Sequence, residues 1–240
     1  MSGFALAIDF DTSHPEPDMT RRLFPSAIPA TLAAAFAGMT LLSGCTPVGV
    51  VVGAGAVAGS AAMQERGFQQ VVTDKATEVA IQKKVFDADP ASFRRLEVTV
   101  VEGRVLLSGV VPTVDDRIRA VEACWKTDDV VEVINEVLVG EDAGMVDNAY
   151  DAKIEAALDV DLTLDREINA VNYIPDASGG TLYLMGIAQN QAELDRVIAH
   201  ARNVERVRRV VSHVQIKDSP ERQETLKRLA ELAAKKDAGS

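Results

Sequence analysis

Apolar and polar positions follow one another in the same order twice along this chain, 77 positions apart. Val105-Leu106-Leu107-Ser108-Gly109 in the first copy corresponds to Leu182-Tyr183-Leu184-Met185-Gly186 in the second. Beyond the glycines the register continues without a gap. Val121 falls on Ile198, Val130 on Val207, Val133 on Val210, Val137 on Val214 and Val139 on Ile216. A fixed-period repeat of this length marks one small structural unit used twice.

The pattern predicts the elements of each unit. In the first, Asp74 is placed to N-cap a helix to about Phe86, with Val79, Ile81 and Val85 apolar. Leu96 to Val100 alternates like a strand, Glu102-Gly103 signals a tight turn, and Val105 to Val110 completes a hairpin. Val114 to Trp125 reads as a second helix with Ile118, Val121 and Trp125 on one face, and Val130 to Val139 as a third strand. The second unit has the same order. Its helix runs from about Asp147 to Leu158, its first strand is Ile168 to Tyr173, and a longer loop passes through Asp176 to Gly180. Thr181 to Ala188, Gln191 to Asn203 and Val207 to Ile216 complete it. Each unit is expected to form a three-stranded mixed sheet with two helices on one face, an α+β fold. Gly109 and Gly186 are expected where a helix backbone crowds the strand end, a structural role. Ser219-Pro220-Glu221 opens a terminal helix whose apolar stripe is thin, so a frayed surface helix is expected.

The N-terminal region has a different pattern. Arg21 and Arg22 precede an apolar run to Leu42, which ends in Leu42-Ser43-Gly44-Cys45. This resembles the bacterial lipoprotein signal, in which a peptidase cuts before a cysteine that carries lipid. Asp9, Asp11, Glu16 and Asp18 spoil a signal that starts at Met1, whereas a start at Met19 gives one of ordinary length. Cys45 is therefore the expected lipidation site, and several acyl chains would hold the protein stably on a membrane. Thr46, not Asp, follows it; by resemblance to Gram-negative lipoproteins this implies the outer membrane, facing the periplasm. Gly53-Ala54-Gly55-Ala56-Val57-Ala58 imitates a dinucleotide fingerprint, but no βαβ unit surrounds it, so it reads as part of a tether.

Charge and composition narrow the function classes. A net charge of −11 argues against non-specific nucleic-acid binding, so any anionic partner must meet a local basic patch. With Cys45 acylated, Cys124 has no partner for a disulfide and reads as a small core residue. No zinc spacing, glutamate-histidine motif or nucleophile elbow is present, and no cofactor or metal is expected. The adjacent acid pairs Asp115-Asp116 and Asp128-Asp129 do not converge. The chain therefore reads as a binding protein and not an enzyme.

The order of elements, the Leu-Leu-Ser-Gly and Tyr-Leu-Met-Gly strand ends and the Val-Xaa-Xaa-Val starts of the last strands resemble paired BON domains. With the lipobox and glycine-rich tether, residues 45 to 217 resemble the dual BON-domain outer-membrane lipoproteins of Gram-negative bacteria. The resemblance implies a leader and signal peptide over 1–44 and a lipidated tether over 45–72. BON domains over 73–141 and 146–217 and a helical tail over 218–240 follow. It also implies a non-enzymatic protein that binds anionic phospholipid, supports envelope integrity and associates with the division site. The alternative is a membrane-anchored adaptor for periplasmic protein partners, without lipid recognition of its own. In the family, lipid meets the first helix of the second domain, here Asp147 to Leu158. Tyr150 stands where the family has an exposed tryptophan, with Lys153 and Ile154 beside it, and either takes that interfacial role or packs on its own sheet with Ile154 and Leu158, while Asp147, Asp151 and Glu155 oppose an anionic headgroup. A different, better charged patch combines His200, Arg202, Arg206, Arg208 and Arg209; such a run reads as a solvated face, or through its guanidinium groups as a site for anionic headgroups or an acidic protein.

Overall fold

The computed structural model describes residues 64–140 and 145–239. The first repeat runs α1 (Gly67–Ala88), β1 (Leu96–Val101), β2 (Arg104–Val111), α2 (Val114–Trp125), β3 (Glu132–Asn135) and β4 (Leu138–Val139). The second runs α3 (Met145–Leu164), a 3-10 turn (Ala170–Asn172), β5 (Tyr173–Ser178), β6 (Thr181–Ala188), α4 (Gln191–Asn203), β7 (Arg209–Ser212) and β8 (Gln215–Ile216). A terminal helix, α5 (Pro220–Gly239), follows. In each repeat the hairpin is antiparallel and the later strands pair parallel to its second strand, through a helical crossover. The fold is the α+β arrangement the pattern predicts. Cys45, the leader, the signal, the false fingerprint and most of the tether lie outside the described residues.

Two buried clusters fill the space between helices and sheet. One holds Ile81, Val85, Phe93, Leu107 and Ala120; the other holds Ile154, Leu158, Leu184, Val197 and Ala201. Alternation along the strands sends the intervening side chains to the opposite sheet face. There Val101 and Leu106 meet Tyr183, Met185 and Ile187 in a third cluster, so the two sheets pack against each other and the helices form the outer layers. Leu106, Leu107 and Leu184 are fully buried, and each contributes about 1.5–3 kcal/mol by leaving water.

Several boundaries differ from expectation for physical reasons. Asp74 is not a cap: α1 begins seven residues earlier, inside the stretch read as tether, and Asp74 is buried in the helix. Its carboxylate accepts the backbone N–H groups of Glu102 (2.9 Å) and Gly103 (3.1 Å) at the hairpin turn. Asp151 accepts those of Gly179 (3.0 Å) and Gly180 (3.2 Å) in the same way. Both turns take positive φ at their two central residues, which orients these N–H groups together. In the second repeat the first strand is Tyr173–Ser178, not Ile168–Tyr173, and only Gly179-Gly180 forms the turn. Pro175 is tolerated there because β5 is an edge strand.

Gly109 and Gly186 are crowded by a carbonyl ahead of the first strand, and not by a helix. A Cβ on Gly109 would lie 1.9 Å from the Arg95 carbonyl oxygen, and one on Gly186 would lie 2.1 Å from that of Asn172. The last strand of each repeat is broken in two. Val137 N–H turns to the Asn135 side chain (3.1 Å) and Val214 N–H to the Ser212 hydroxyl (3.4 Å). On the face read from Ile118, Val121 and Trp125, Ile118 and Trp125 are 49% and 56% exposed, while Ala120 and Cys124, the latter read as a core residue, are buried. Thr113 and Asn190 cap α2 and α4, each accepting from the residue three positions on.

The terminal helix is docked and not frayed. Arg222 donates two hydrogen bonds to the Glu102 carboxylate (2.8 and 3.0 Å), both side chains being buried. Leu229 lies against Gly103. Residues 64–66, expected to belong to the tether, are also held. Glu65 pairs with Lys217 (2.8 Å), and Arg66 pairs with Asp74 (2.7 Å) and donates to the Val100 carbonyl.

Candidate functional site

The Tyr150 helix and the arginine cluster, read separately in the sequence, converge in part. The chain leaves α4 at Val204, whose carbonyl accepts Val207 N–H (3.2 Å), and Arg206 takes a left-handed backbone conformation (φ 72°). For a residue with a Cβ this conformation costs of order 1 kcal/mol, so the turn directs this side chain against a local preference. Its guanidinium carbon lies 3.6 Å from the Tyr150 ring centroid, and Lys153 Nζ lies 5.6 Å from the same ring. Both contacts are cation–π in character. Arg208 donates to the Gly179 carbonyl, and its backbone N–H donates to Gly180 O (2.8 Å). Tyr150, Lys153, Arg206 and Arg208 therefore form one surface beside the Gly179-Gly180 turn.

The other expected site residues fall elsewhere. Ile154 is 3% exposed and belongs to the core, because α3 turns that position toward the sheet. Arg209 points to the opposite strand face from Arg208 and lies 4.0 Å from Glu136 of the first repeat. His200 meets Asp165 (2.8 Å), away from Tyr150. Arg202 is exposed on α4.

Two of the acids on α3, Asp151 and Glu155, are turned toward the hairpin, while Asp159 and Asp161 further along the helix are exposed. Asp151 is buried beneath the hairpin turn. Glu155 accepts Ala177 N–H (2.8 Å), and burial pushes its carboxyl up to about 7, aided by the nearby Asp176, Glu97 and Asp151. The side chain of Asp147 lies outside the described residues. The exposed Glu205 lies 4.0 Å from Arg206. The surface beside Tyr150 carries Lys153, Arg206 and Arg208. It offers guanidinium donors and an amphipathic ring, a set that can hold phosphate oxygens while the ring rests at an apolar–polar boundary.

Among the described residues, no group of three or more His, Cys, Asp or Glu is placed to hold a metal ion. Cys124 is fully buried, burial pushes its thiol up to about 12, and it donates to the Ala120 carbonyl (3.3 Å), as a core residue does. Among the described residues, no helix is long and apolar enough to cross a membrane.

Comparison with known proteins agrees with this architecture. The sequence matches the BON domain over residues 73–141 and again over 147–218. It is 38% identical over 149 residues to a protein of Anaplasma centrale described as an uncharacterized protein in the gshII 5' region. That match covers 62% of this chain and 97% of the relative. It is 28% identical to the outer membrane lipoprotein DolP of Haemophilus influenzae, covering 66% of this chain and 82% of that one. It is also 28% identical to a 21 kDa hemolysin of Actinobacillus pleuropneumoniae, covering 54% of this chain and 68% of that one. With two copies in tandem, each folded as one helix-flanked mixed sheet, the chain belongs to the BON-domain family and is DolP-like.

Proposed function

We propose that this protein is a non-enzymatic lipoprotein, anchored through acylated Cys45 to the periplasmic face of the outer membrane, that binds anionic phospholipid. In this role it supports envelope integrity and acts at the division site. The lipobox-like Leu42-Ser43-Gly44-Cys45 and the similarity to an outer membrane lipoprotein support the anchor and its location. The observation that carries lipid recognition is Arg206 stacked on Tyr150 at 3.6 Å, with Lys153 and Arg208 beside it. Headgroup phosphate would meet the guanidinium groups, and each cation near an anionic surface contributes about 1 kcal/mol.

The test is sedimentation of the mature chain, residues 45–240 with Cys45→Ser, with phosphatidylglycerol-rich and neutral vesicles at two salt concentrations. Binding to the anionic vesicles that weakens with salt supports this function. Absence of binding to either favours the adaptor, with membrane attachment supplied by the anchor alone.

A further inference from the structure

The outer helix layer of the first repeat is apolar where the fold does not require it. On α1, Phe68 (50% exposed), Val72 (47%), Val79 (56%) and Phe86 (43%) lie one above another at 100° per residue, along about 27 Å of helix. They face away from the buried positions Ile81 and Val85. On α2, which packs beside α1 on the same sheet face, Val114, Ile118 and Trp125 are each about half exposed. The second repeat provides an internal control. The positions equivalent to Val79, Phe86, Ile118 and Trp125 are Ala156, Thr163, Asp195 and Arg202. At these four positions the second repeat has small or polar residues, although Met145 stands at the position equivalent to Phe68 and α3 exposes Val160 and Leu164 elsewhere.

We infer that this layer lies on the lipid bilayer that holds the anchor, with Trp125, Ile118, Val79 and Phe86 in contact with lipid. This rests on the membrane anchor proposed above, and it places on the bilayer the helix layer opposite α3 and α4. Two observations select a bilayer as the occupant. Gly67 follows Cys45 by 22 positions, and residues 46–63 between them carry no charge, so an acylated Cys45 holds α1 at high local concentration beside the membrane. Trp125 sits at the end of α2 beside Lys126, which pairs with Glu122 (3.0 Å), and an indole suits the headgroup boundary because its ring is apolar and its N–H needs a polar partner. Lys75 and Lys83, exposed beside the apolar residues of α1, are each paired with an acid, Glu78 (2.6 Å) and Asp87.

Trp125 is the chain's single tryptophan and so reports directly on this face. Its emission is measured in the mature chain with Cys45→Ser on added phosphatidylglycerol vesicles, and in the acylated chain reconstituted into them. The expected result is a blue shift, with quenching by lipids brominated along the acyl chain. Phe86→Ser with Ile118→Ser, both at exposed positions, should lower vesicle affinity about tenfold and reduce the quenching, with the urea midpoint unchanged. An unshifted, unquenched Trp125 in both preparations overturns the inference. If sedimentation that depends on Arg206 and Arg208 persists in that case, only this face is wrong. If sedimentation is absent as well, the lipid-binding function fails with it. Photocrosslinking from position 125 to an envelope protein, with no quenching by lipid, would also overturn it.

Discussion

Glu136 and His213 occupy the same position in the two repeats, and they meet each other, Oε1 to Nε2 at 3.0 Å. Contact between equivalent residues is the mark of a two-fold relation, here between two halves of one chain. The third apolar cluster lies in the same seam, where Leu106 and its counterpart Tyr183 both take part. The repeats therefore bury their second sheet faces on each other, which explains why both faces of β2 and β6 are apolar. Replacing Leu106 with Ala should cost about 2–5 kcal/mol in urea unfolding. The loss of Glu136, in a partly exposed pair, should cost under about 1 kcal/mol.

The seam also holds carboxyl groups that titrate unusually. Glu97 of β1 and Asp176 of β5 are raised mainly by burial, and Glu155 of α3 is pushed up to about 7. They line one cleft together with Arg94 and Arg95, and Asp176 accepts a hydrogen bond from Ser108 across the seam. A raised carboxyl holds its proton in the folded state after the unfolded chain has released its own. Stability should therefore fall as pH rises from about 4.5 to about 7. For Glu155 the change should be about 1–2 kcal/mol after allowance for solvent screening. Asp165, lowered to about 2 by its hydrogen bonds to His200, Glu167 N–H and Arg196, has the opposite sign and acts only in more acid solution. Urea midpoints at pH 5 and 7.5 check this, and Glu155→Gln should flatten the difference.

The aspartates beneath the hairpin turns are predicted to matter in both repeats, Asp74 more than Asp151 because it also pairs with Arg66. Asp74→Ala and Asp151→Ala each leave two turn N–H groups without their acceptor. Each substitution should cost about 2–4 kcal/mol. Asn, which keeps one carbonyl acceptor, should cost less. Amide exchange at Gly103 and Gly180 would locate the loss at the turn.

The docked tail gives a prediction of a different kind. Arg222→Ala removes one partner of a buried ion pair and should destabilise the chain by about 3–5 kcal/mol. Exchanging both Arg222 and Glu102 for apolar residues of similar volume should cost much less, since no uncompensated charge is left behind. Equilibrium unfolding of the single and double variants separates the two results.

Much of this was legible in the apolar periodicity. The repeat, the order of elements and the helix-covered sheet face all follow from residues such as Val105, Leu107, Leu182 and Leu184. What escaped were features carried by polar side chains acting at a distance. Asp74 looks like a helix start because local chemistry favours Asp at caps, while its partners lie at Glu102 and Gly103. The strand Tyr173–Ser178 reads as a loop because Pro175, Asp176 and Ser178 are polar or turn-forming residues. An edge position admits the proline, and the seam buries the other two. The 77-residue register, extended back from Gly186 to Tyr173, was the available signal for that strand. At the candidate site, Tyr150 and Arg206 were both singled out. Their contact was not, because it depends on the left-handed turn at Arg206.

The most direct test of lipid recognition compares the mature Cys45→Ser chain with Arg206→Ala/Arg208→Ala, using Lys227→Ala/Arg228→Ala on α5 as a charge-matched control. Binding to phosphatidylglycerol vesicles is measured at low salt. Loss of two headgroup contacts should weaken binding about tenfold to thirtyfold, with the control near the parent chain. Equal weakening in both variants, or none in either, would contradict a lipid site at Tyr150 and Arg206.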